Sequence, residues 1–275
     1  MAGGKVDRRT GEPPPPPERL TVPAVDSHCH MDAMGVPVPQ ILAAAAAVGI
    51  TRIVQVGTDV ASSRWAAEQA ATYDPVLAAV ALHPNGAARG LADADDLAEI
   101  DRLAALPRVR AVGETGLDHF RTGPEGRPRQ EASFRAHIEI AKRHGIALVI
   151  HDRDAHSDVL RVLDDAGAPE RTVLHCFSGD AAMARECVRR GYVLSFAGTV
   201  TFKNADGLRA AAREVPTGQL LVETDAPYLT PMPYRGRPNA PYLVPLTVRA
   251  LAELRGEDVD TLCATITATA RRVFG

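Results

Sequence analysis

The sequence predicts an α/β fold, a single (β/α)8 TIM barrel. Short β-branched runs alternate with segments rich in Ala, Leu, Arg and Glu, and each strand–helix pair takes roughly thirty residues. About eight such pairs follow the first 20 residues, which is the repeat of a parallel barrel rather than of an open doubly wound sheet. There is no GxGxxG motif after the first strand and no GxxxxGK motif, so the dinucleotide-binding and P-loop folds lack their phosphate-binding loops.

The predicted elements follow one another along the whole chain. Strands are the short runs rich in β-branched residues, and helices are the longer runs between them. The predicted strands cover residues 23–28, 52–57, 76–82, 109–114, 147–151, 172–175, 192–196 and 220–223. The predicted helices cover residues 37–48, 61–73, 94–106, 129–144, 154–166, 181–190, 204–214, 244–254 and 259–273.

Composition excludes several classes of protein. With 275 residues and 45% hydrophobic residues the chain can bury a large core, so global disorder is excluded. The net charge of −3 excludes a basic protein that coats nucleic acid. Aromatic residues make up 4% of the chain, which argues against an extended base-stacking surface and predicts a core of Ala, Val, Leu and Ile.

Domain organisation and location follow from the termini and the cysteines. Residues 1–20 are rich in Pro, Gly and charge, so we expect a disordered tail followed by one barrel domain over 21–275. The four cysteines include no CxxC pair, which predicts neither disulfides nor a zinc ribbon. Cys29 and Cys176 are expected to pack outward against helices. No apolar run is long enough to span a bilayer, and we expect a cytoplasmic monomer without an obligate protein partner.

Residues that can bind a metal or carry a proton end most of the predicted strands. In the DSHCH segment, His28 and His30 point to one face of an extended strand and can chelate one ion. Further candidates end four other strands: Glu114, His151, His175 and Asp225. Any one of these could be an ordinary cap or a half-buried histidine, but a barrel brings all carboxyl-terminal strand ends into one ring. The sequence therefore predicts a metal site there, with nitrogen and oxygen ligands that suit Zn²⁺, Mn²⁺, Mg²⁺ or Co²⁺.

Five segments, DSHCH, GETGLD, IHDRDA, HCFSG and ETDAPYL, resemble in order and spacing those of the TatD family of metal-dependent deoxyribonucleases in the amidohydrolase superfamily. The resemblance runs from about residue 24 to the end of the chain. It implies two divalent ions. His28, His30, Glu114 and Asp225 would hold the first ion, and Glu114, His151 and His175 the second, with Glu114 bridging. His83 in the His-Pro pair would face the substrate. Thr269 and Ala240 stand where the family commonly has Asn and an acidic residue.

Such a site predicts hydrolysis by a hydroxide that bridges two metal ions. Asp225 is the candidate general base, because a carboxylate beside a cation stays ionised within reach of the water, and Glu114 is the second catalytic carboxylate. The residues expected to bind substrate phosphates are Arg153, Lys203, Arg235 and Arg237. With a net charge of −3, binding of nucleic acid would depend on this local patch and on salt concentration.

Four functions remain open at this point. The first is a nuclease that trims DNA ends, with single-stranded substrate and 3′–5′ polarity implied by the resemblance. The second is hydrolysis of another bond, such as deacylation of D-aminoacyl-tRNA or cleavage of an ester or amide, because a bridging hydroxide also attacks carbonyl carbon. The third is a histidine-rich phosphoesterase barrel, for which only His83 and His119 remain as further ligands. The fourth is a metal-binding protein without activity.

Overall fold

Eight parallel strands form the barrel in the computed structural model, which describes residues 11–275. They are β1 (Ala24–Cys29), β2 (Ile50–Val56), β3 (Val76–Val80), β4 (Val109–Asp118), β5 (Ala147–Arg153), β6 (Thr172–Leu174), β7 (Val193–Phe196) and β8 (Leu220–Val222). The helices of this described part are α1 (Val38–Ala47), α2 (Val60–Thr72), α3 (Pro84–Ala88), α4 (Ala94–Ala104), α5 (Arg127–His144), α6 (His156–Ala166), α7 (Ala181–Arg189), α8 (Asp206–Glu214), α9 (Val244–Arg255) and α10 (Val259–Phe274). Each strand pairs with the next in chain order, which confirms the predicted barrel.

The barrel closes between β8 and β1 through both backbone and side-chain hydrogen bonds. Cys29 and Ala226 form a single parallel bridge just beyond β8. Beneath it, the Ser27 hydroxyl donates to the Val222 carbonyl oxygen at 2.9 Å. The Thr224 backbone N–H donates to the buried Asp26 carboxylate at 2.9 Å. Strand β8 has only three residues and cannot form a full set of backbone hydrogen bonds with β1. The side-chain bonds therefore satisfy backbone groups that would otherwise be left unpaired.

Small aliphatic side chains fill the core, as the scarcity of aromatic residues predicts. All five residues of β3, with the sequence VLAAV, are buried. Helices cover the outer faces of such strands, which leaves the strands without a polar face. The helix ends are set by local chemistry: Asp59 and Asp93 accept hydrogen bonds from the first turns of α2 and α4, and Gly145 and Gly256 take the left-handed conformation that ends α5 and α9.

Strand β4 differs from its prediction. It does not end at Glu114 but continues to Asp118. Its pairing with β5 shifts register between Val112 and Thr115, so Glu114 lies at a bulge inside the strand. Gly113 and Gly116 interrupt the alternation of apolar and polar residues from which the length of a strand is predicted. Strand β5 continues to Arg153 and pairs with the longer β4 as far as Asp118.

Residues 1–20 were predicted to form a disordered tail; residues 1–10 lie outside the described part, and residues 12–20 contact the barrel. This stretch, which we call the proline strap, lies along the outside of the barrel. The Glu12 carbonyl accepts from Arg237 Nε at 2.7 Å, and the Pro14 carbonyl accepts from the Tyr242 hydroxyl at 2.7 Å. At its other end Leu20 is 1% exposed. A proline-rich backbone makes no internal hydrogen bonds, so its carbonyls remain available to side chains of the barrel.

Within residues 11–275, no helix combines the length and the apolar character needed to cross a membrane.

We expect deletion of residues 1–16 to lower the free energy of unfolding by about 3 kcal/mol, because three hydrogen bonds worth roughly 1 kcal/mol each, to the Glu12, Pro13 and Pro14 carbonyls, are lost. The matched control is deletion of residues 1–10, which keeps Glu12 and Pro14. Urea unfolding of the two truncated proteins measures the difference, and equal midpoints would show that the proline strap does not stabilise the barrel.

His137 of α5 gives a second prediction, on pH. Its ring is fully buried, accepts from the Leu82 backbone N–H at 3.1 Å, and donates to the Ser133 carbonyl at 2.7 Å. Burial lowers the pKa of His137 to about 4. As pH falls from 6.5 toward 4 the unfolded chain takes up a proton here that the native state refuses, so stability falls over this window by on the order of 3 kcal/mol.

The measurement is urea unfolding at pH 7 and at pH 4.5. We expect His137→Gln to be less stable at pH 7 but to lose less stability on acidification than the unsubstituted protein. An equal loss in both proteins would show that His137 does not cause this part of the acid sensitivity.

Candidate metal centre

Four imidazoles and two carboxylates predicted as metal ligands converge at the carboxyl-terminal ends of the strands. His28 and His30 leave the end of β1 on one face, and their Nε2 atoms lie 3.2 Å apart. The His28 ring stacks on the His175 ring with centroids 3.8 Å apart. All six residues are buried or half-buried.

Glu114 lies at the centre of this group. Its Oε1 atom is 3.5 Å from His30 Nε2. Its Oε2 atom is 2.8 Å from His175 Nε2 and 3.2 Å from His151 Nδ1. The two oxygens of one carboxylate therefore face two different sets of imidazoles, which is the arrangement that a bridging ligand requires.

Asp225 approaches from the opposite side of the barrel. Its Oδ1 atom lies 3.5 Å from His30 Nε2 and 3.9 Å from His28 Nε2. Its backbone N–H donates to the His28 carbonyl at 2.9 Å. The residue takes a positive φ of 53°, a conformation that Asp tolerates better than most residues and that often occurs at functional sites. The backbone thus fixes Asp225 against the HxH pair.

Three sets of side chains among the described residues place their ligand atoms within 4.8 Å of one another. They are His28, His30 and Asp225; His28, Glu114 and His175; and His83, Glu114 and His151. Nitrogen and carboxylate oxygen are the donors that Zn²⁺, Mn²⁺ or Co²⁺ accept. In addition, His28 Nδ1 is buried without a hydrogen-bond partner, which a buried polar atom rarely is. The donor set therefore fits divalent cations.

Acceptors behind the imidazoles orient them. His30 Nδ1 lies 3.0 Å from the Val56 carbonyl, and His175 Nδ1 lies 3.3 Å from Glu223 Oε1. Each ring therefore donates through Nδ1 and turns Nε2 toward the cluster. Glu223 is fully buried and also accepts from the Cys176 backbone N–H at 2.8 Å. Glu223 was not among the predicted site residues, although it stands two residues before Asp225 in the same segment.

Asp118 is a second carboxylate at the centre that was not among the predicted site residues. Its Oδ2 atom lies 3.3 Å from His151 Nε2 and accepts from Asn85 Nδ2 at 3.0 Å. Its Oδ1 atom accepts from the Arg121 backbone N–H at 2.8 Å. Held in this way, Asp118 accepts from His151 Nε2 and leaves Nδ1 to face Glu114. The sequence feature that could have indicated this role is its position in GETGLD, four residues after Glu114.

His83 reaches the cluster as a hydrogen-bond donor. The Asn85 backbone N–H donates to His83 Nδ1 at 3.0 Å, which leaves the ring proton on Nε2. That nitrogen lies 3.9 Å from Glu114 Oε1. Burial lowers the pKa of His83 to about 4, so the ring is neutral at pH 7. A nitrogen that carries a proton does not bind a cation, so this geometry favours the expected contact with substrate over membership of a third metal set.

The electrostatics of the centre favour positive charge. Burial opposes protonation of His30, but Asp225 and Glu114 outweigh it and raise the pKa of His30 to about 9. Burial likewise opposes protonation of His175, yet its carboxylate neighbours Glu114 and Glu223 raise its pKa well above the usual value. Burial would raise the pKa of Glu114, but the charges of the surrounding imidazoles hold it well below its usual range. A field that retains protons on imidazoles also attracts a divalent cation.

The arginines and the lysine expected to bind substrate have different surroundings. Arg153 lies over the Phe120 ring, with its guanidinium carbon 4.0 Å from the ring centroid, and Arg235 lies over Phe202 at 4.3 Å. Lys203 is exposed, and the structure shows no contact between it and the cluster.

Arg237, which was also expected to bind substrate phosphates, contacts the proline strap in the structure. It donates to the Glu12 and Pro13 carbonyls, so its guanidinium holds the proline strap.

The two cysteines that were expected to pack against helices differ in burial. Cys29 is fully buried in the hydrophobic core. Cys176, however, lies beyond the end of β6 at a positive φ of 42° and is partly exposed. Alternation of faces along a strand does not apply to a residue outside the strand, so the strand pattern does not determine the direction of the Cys176 side chain.

A cavity of about 560 Å³ lies apart from the cluster, and its lining includes Leu117, His119 and Arg161. Leu117 and His119 alternate with Asp118, so they face away from the barrel mouth. Arg161 in its wall pairs with Glu131 at 2.7 Å. Because Glu131 and Asp158 line this cavity beside its three arginines, it does not offer an unopposed positive surface to a phosphate.

Comparison with known proteins agrees with this geometry. The family model described as TatD related DNase matches residues 25–275. A Mycobacterium tuberculosis protein named uncharacterized metal-dependent hydrolase TatD is 50% identical, over 91% of this chain and 97% of that relative. A Citrobacter rodentium protein named 3′-5′ ssDNA/RNA exonuclease TatD is 34% identical, over 86% of this chain and 91% of that relative.

The crystal structure of a TatD homologue from Escherichia coli K12 superposes with a TM-score of 0.84 at 28% identity, covering 91% of this chain and 97% of that one. Since the family model and the relatives span nearly the whole barrel, this chain belongs to the TatD family of metal-dependent hydrolases.

Proposed function

We propose that this hydrolase is a deoxyribonuclease that removes nucleotides from single-stranded DNA ends in the 3′–5′ direction. The observation that carries the proposal is the position of Glu114 between two sets of imidazoles, with Arg153 and Arg235 beyond the strand ends. The relative named as a 3′-5′ ssDNA/RNA exonuclease supports the choice of substrate. A phosphodiester supplies the negative charge that these arginines attract, and that the centre would attract once it holds divalent ions.

We assign the first ion to His28, His30, Glu114 and Asp225, and the second to Glu114, His151 and His175. When bound, divalent ions at these residues supply a water of lowered pKa and neutralise charge on the phosphate. Asp225 accepts the proton of the attacking water through its carboxylate and returns it to the leaving oxygen. His83 donates from Nε2 to a phosphate oxygen, and Arg153 and Arg235 bind neighbouring phosphates.

The charge of the chain sets the character of binding. Because the net charge is −3, DNA is attracted by the centre and a few arginines rather than by the whole surface. Each neutralised phosphate adds about 0.7 to the slope of log affinity against log salt for single strands. Affinity is therefore modest and falls steeply as salt rises. Lys203 remains a candidate contact on the same rim.

The principal test is digestion of single-stranded DNA labelled at either end, with Mg²⁺, Mn²⁺, Zn²⁺ or Co²⁺ added separately. We expect shortening from the 3′ end with at least one of these metals. Asp225→Asn should lower kcat by about 10²–10⁴-fold, the usual contribution of a general base. Asp95→Asn, which alters an exposed carboxylate of α4, serves as the control and should leave kcat unchanged.

Intact DNA with all four metals would contradict the nuclease proposal. The same preparations should then be offered a D-aminoacyl-tRNA and simple esters and amides, because the centre can also deliver a hydroxide to a carbonyl carbon. Turnover of those substrates alone would identify the second function. Unchanged activity of a His28→Ala, His30→Ala protein would show that these histidines do not serve the reaction.

A separate prediction concerns Glu223, which touches His175 behind the cluster. Glu223→Gln should weaken metal binding by about 10–100-fold, the usual effect of removing an outer partner of a ligating histidine. The measurement is titration of metal-free protein with Zn²⁺ by calorimetry. Glu139→Gln, which alters an exposed residue of α5, is the matched control, and equal affinity in the two variants would contradict the role assigned to Glu223.

A further inference from the structure

Phe120 exposes an aromatic ring at the barrel mouth. It lies two residues beyond the end of β4 and is 62% exposed. Among the aromatic side chains of residues 11–275, only Phe120 and Tyr228 are classed as exposed, and Tyr228 is 42% exposed. Tyr228 also lies at the mouth, with its ring centroid 6.1 Å from that of His30. In a chain with so few aromatic residues, both exposed rings therefore flank the metal centre.

The position of Phe120 follows from the register of β4 and β5 and from its contact with Arg153. Gly116 of β4 pairs with His151 of β5, and Asp118 pairs with Arg153. Phe120 lies in the turn two residues beyond Asp118, and its contact with Arg153 places its ring beside the end of β5. Arg153 is likewise two residues beyond His151 on one face of β5. One step of two residues along a strand is about 6.6 Å, so the Phe120–Arg153 pair lies about that far beyond the ligand layer.

The pair has two chemically different parts. The guanidinium carbon of Arg153 lies 4.0 Å from the Phe120 centroid, so the cation covers one side of the ring. The His119 backbone N–H donates to the Arg153 carbonyl at 2.9 Å, which fixes the two chain segments relative to each other. A flat apolar surface beside a positive charge matches a nucleobase joined to a phosphate.

We propose that Phe120 and Arg153 form a stacking subsite for an unpaired nucleobase next to the bond that is cleaved. The base stacks on the Phe120 ring, and Arg153 binds the adjoining phosphate. This inference rests on the proposed nuclease function and deepens it. A base in a duplex is already stacked and paired, so the subsite selects single-stranded ends.

The test removes the base rather than the phosphate. Oligodeoxythymidylates carrying one abasic tetrahydrofuran nucleotide at successive positions from the 3′ end are compared with the unmodified strand. Stacking on an aromatic side chain contributes about 1–3 kcal/mol per base, so the unsubstituted enzyme should show a KM about 5- to 150-fold higher at one abasic position. The salt dependence should be the same for both substrates, because their charge is the same.

Substitutions then locate the effect on the ring. Phe120→Leu keeps apolar bulk but removes the π face, and its KM should be the same for the abasic and unmodified strands. Phe120→Trp should restore the discrimination. Tyr73→Leu removes a ring at the end of α2, away from the mouth, and should discriminate as the unsubstituted enzyme does. Retention of the discrimination in Phe120→Leu, or its absence in the unsubstituted enzyme, would overturn the subsite.

Failure of the nuclease proposal can be told apart from failure of the subsite. If no strand is cleaved, the same oligonucleotides with a fluorescent label are titrated with protein in the presence of Mn²⁺, and binding is followed by anisotropy. Tighter binding of the unmodified strand that is lost in Phe120→Leu would support the subsite without a nuclease reaction. Equal binding of both strands, or no binding, would overturn it.

Discussion

The buried carboxylate of Glu114 is the charge around which the centre is organised. It is 4% exposed, so its charge must be compensated by neighbours rather than by water. His30, His151 and His175 provide this compensation within 3.5 Å. These rings need acceptors on their far sides, which are a backbone carbonyl and two further carboxylates. One buried charge therefore fixes the protonated nitrogen of each surrounding ring and, through it, the nitrogen that faces a metal.

The closure of the barrel and the geometry of the centre depend on the same contacts. Strand β8 is three residues long, and the chain beyond it is held to β1 by Asp26, which accepts from Thr224. Burial raises the pKa of Asp26 to about 7, so this closure places a carboxyl group where water cannot solvate it. His28 follows Asp26 by two residues, and Asp225 follows Thr224 by one. The bonds that close the barrel therefore also set the distance between the HxH pair and Asp225.

The sequence was sufficient for the topology and for the convergence of the six candidate ligands, because strand ends in a parallel barrel meet at one face whatever the loops do. It did not predict that Glu114 lies inside β4, because the neighbouring glycines hide the bulge through which the strand continues. Asp118 and Glu223 also escaped it, since a carboxylate that orients a histidine is recognised only from distances. The proline strap could not be predicted from composition, which indicates only how much apolar surface a segment can bury. The strap is instead held by hydrogen bonds from side chains of the barrel to its backbone carbonyls.

The arginines at the rim of the barrel differ in the groups that they contact. Arg237 donates to carbonyls of the proline strap, which precedes the part of the chain that matches the family model. Arg153 and Arg235 instead lie against aromatic rings, an arrangement that leaves guanidinium N–H groups directed to the side of the ring. The strap thus braces the long segment after β8, which also carries Arg235. The strand ends therefore supply the candidate metal ligands, while residues beyond them supply the arginines that we propose bind substrate phosphates.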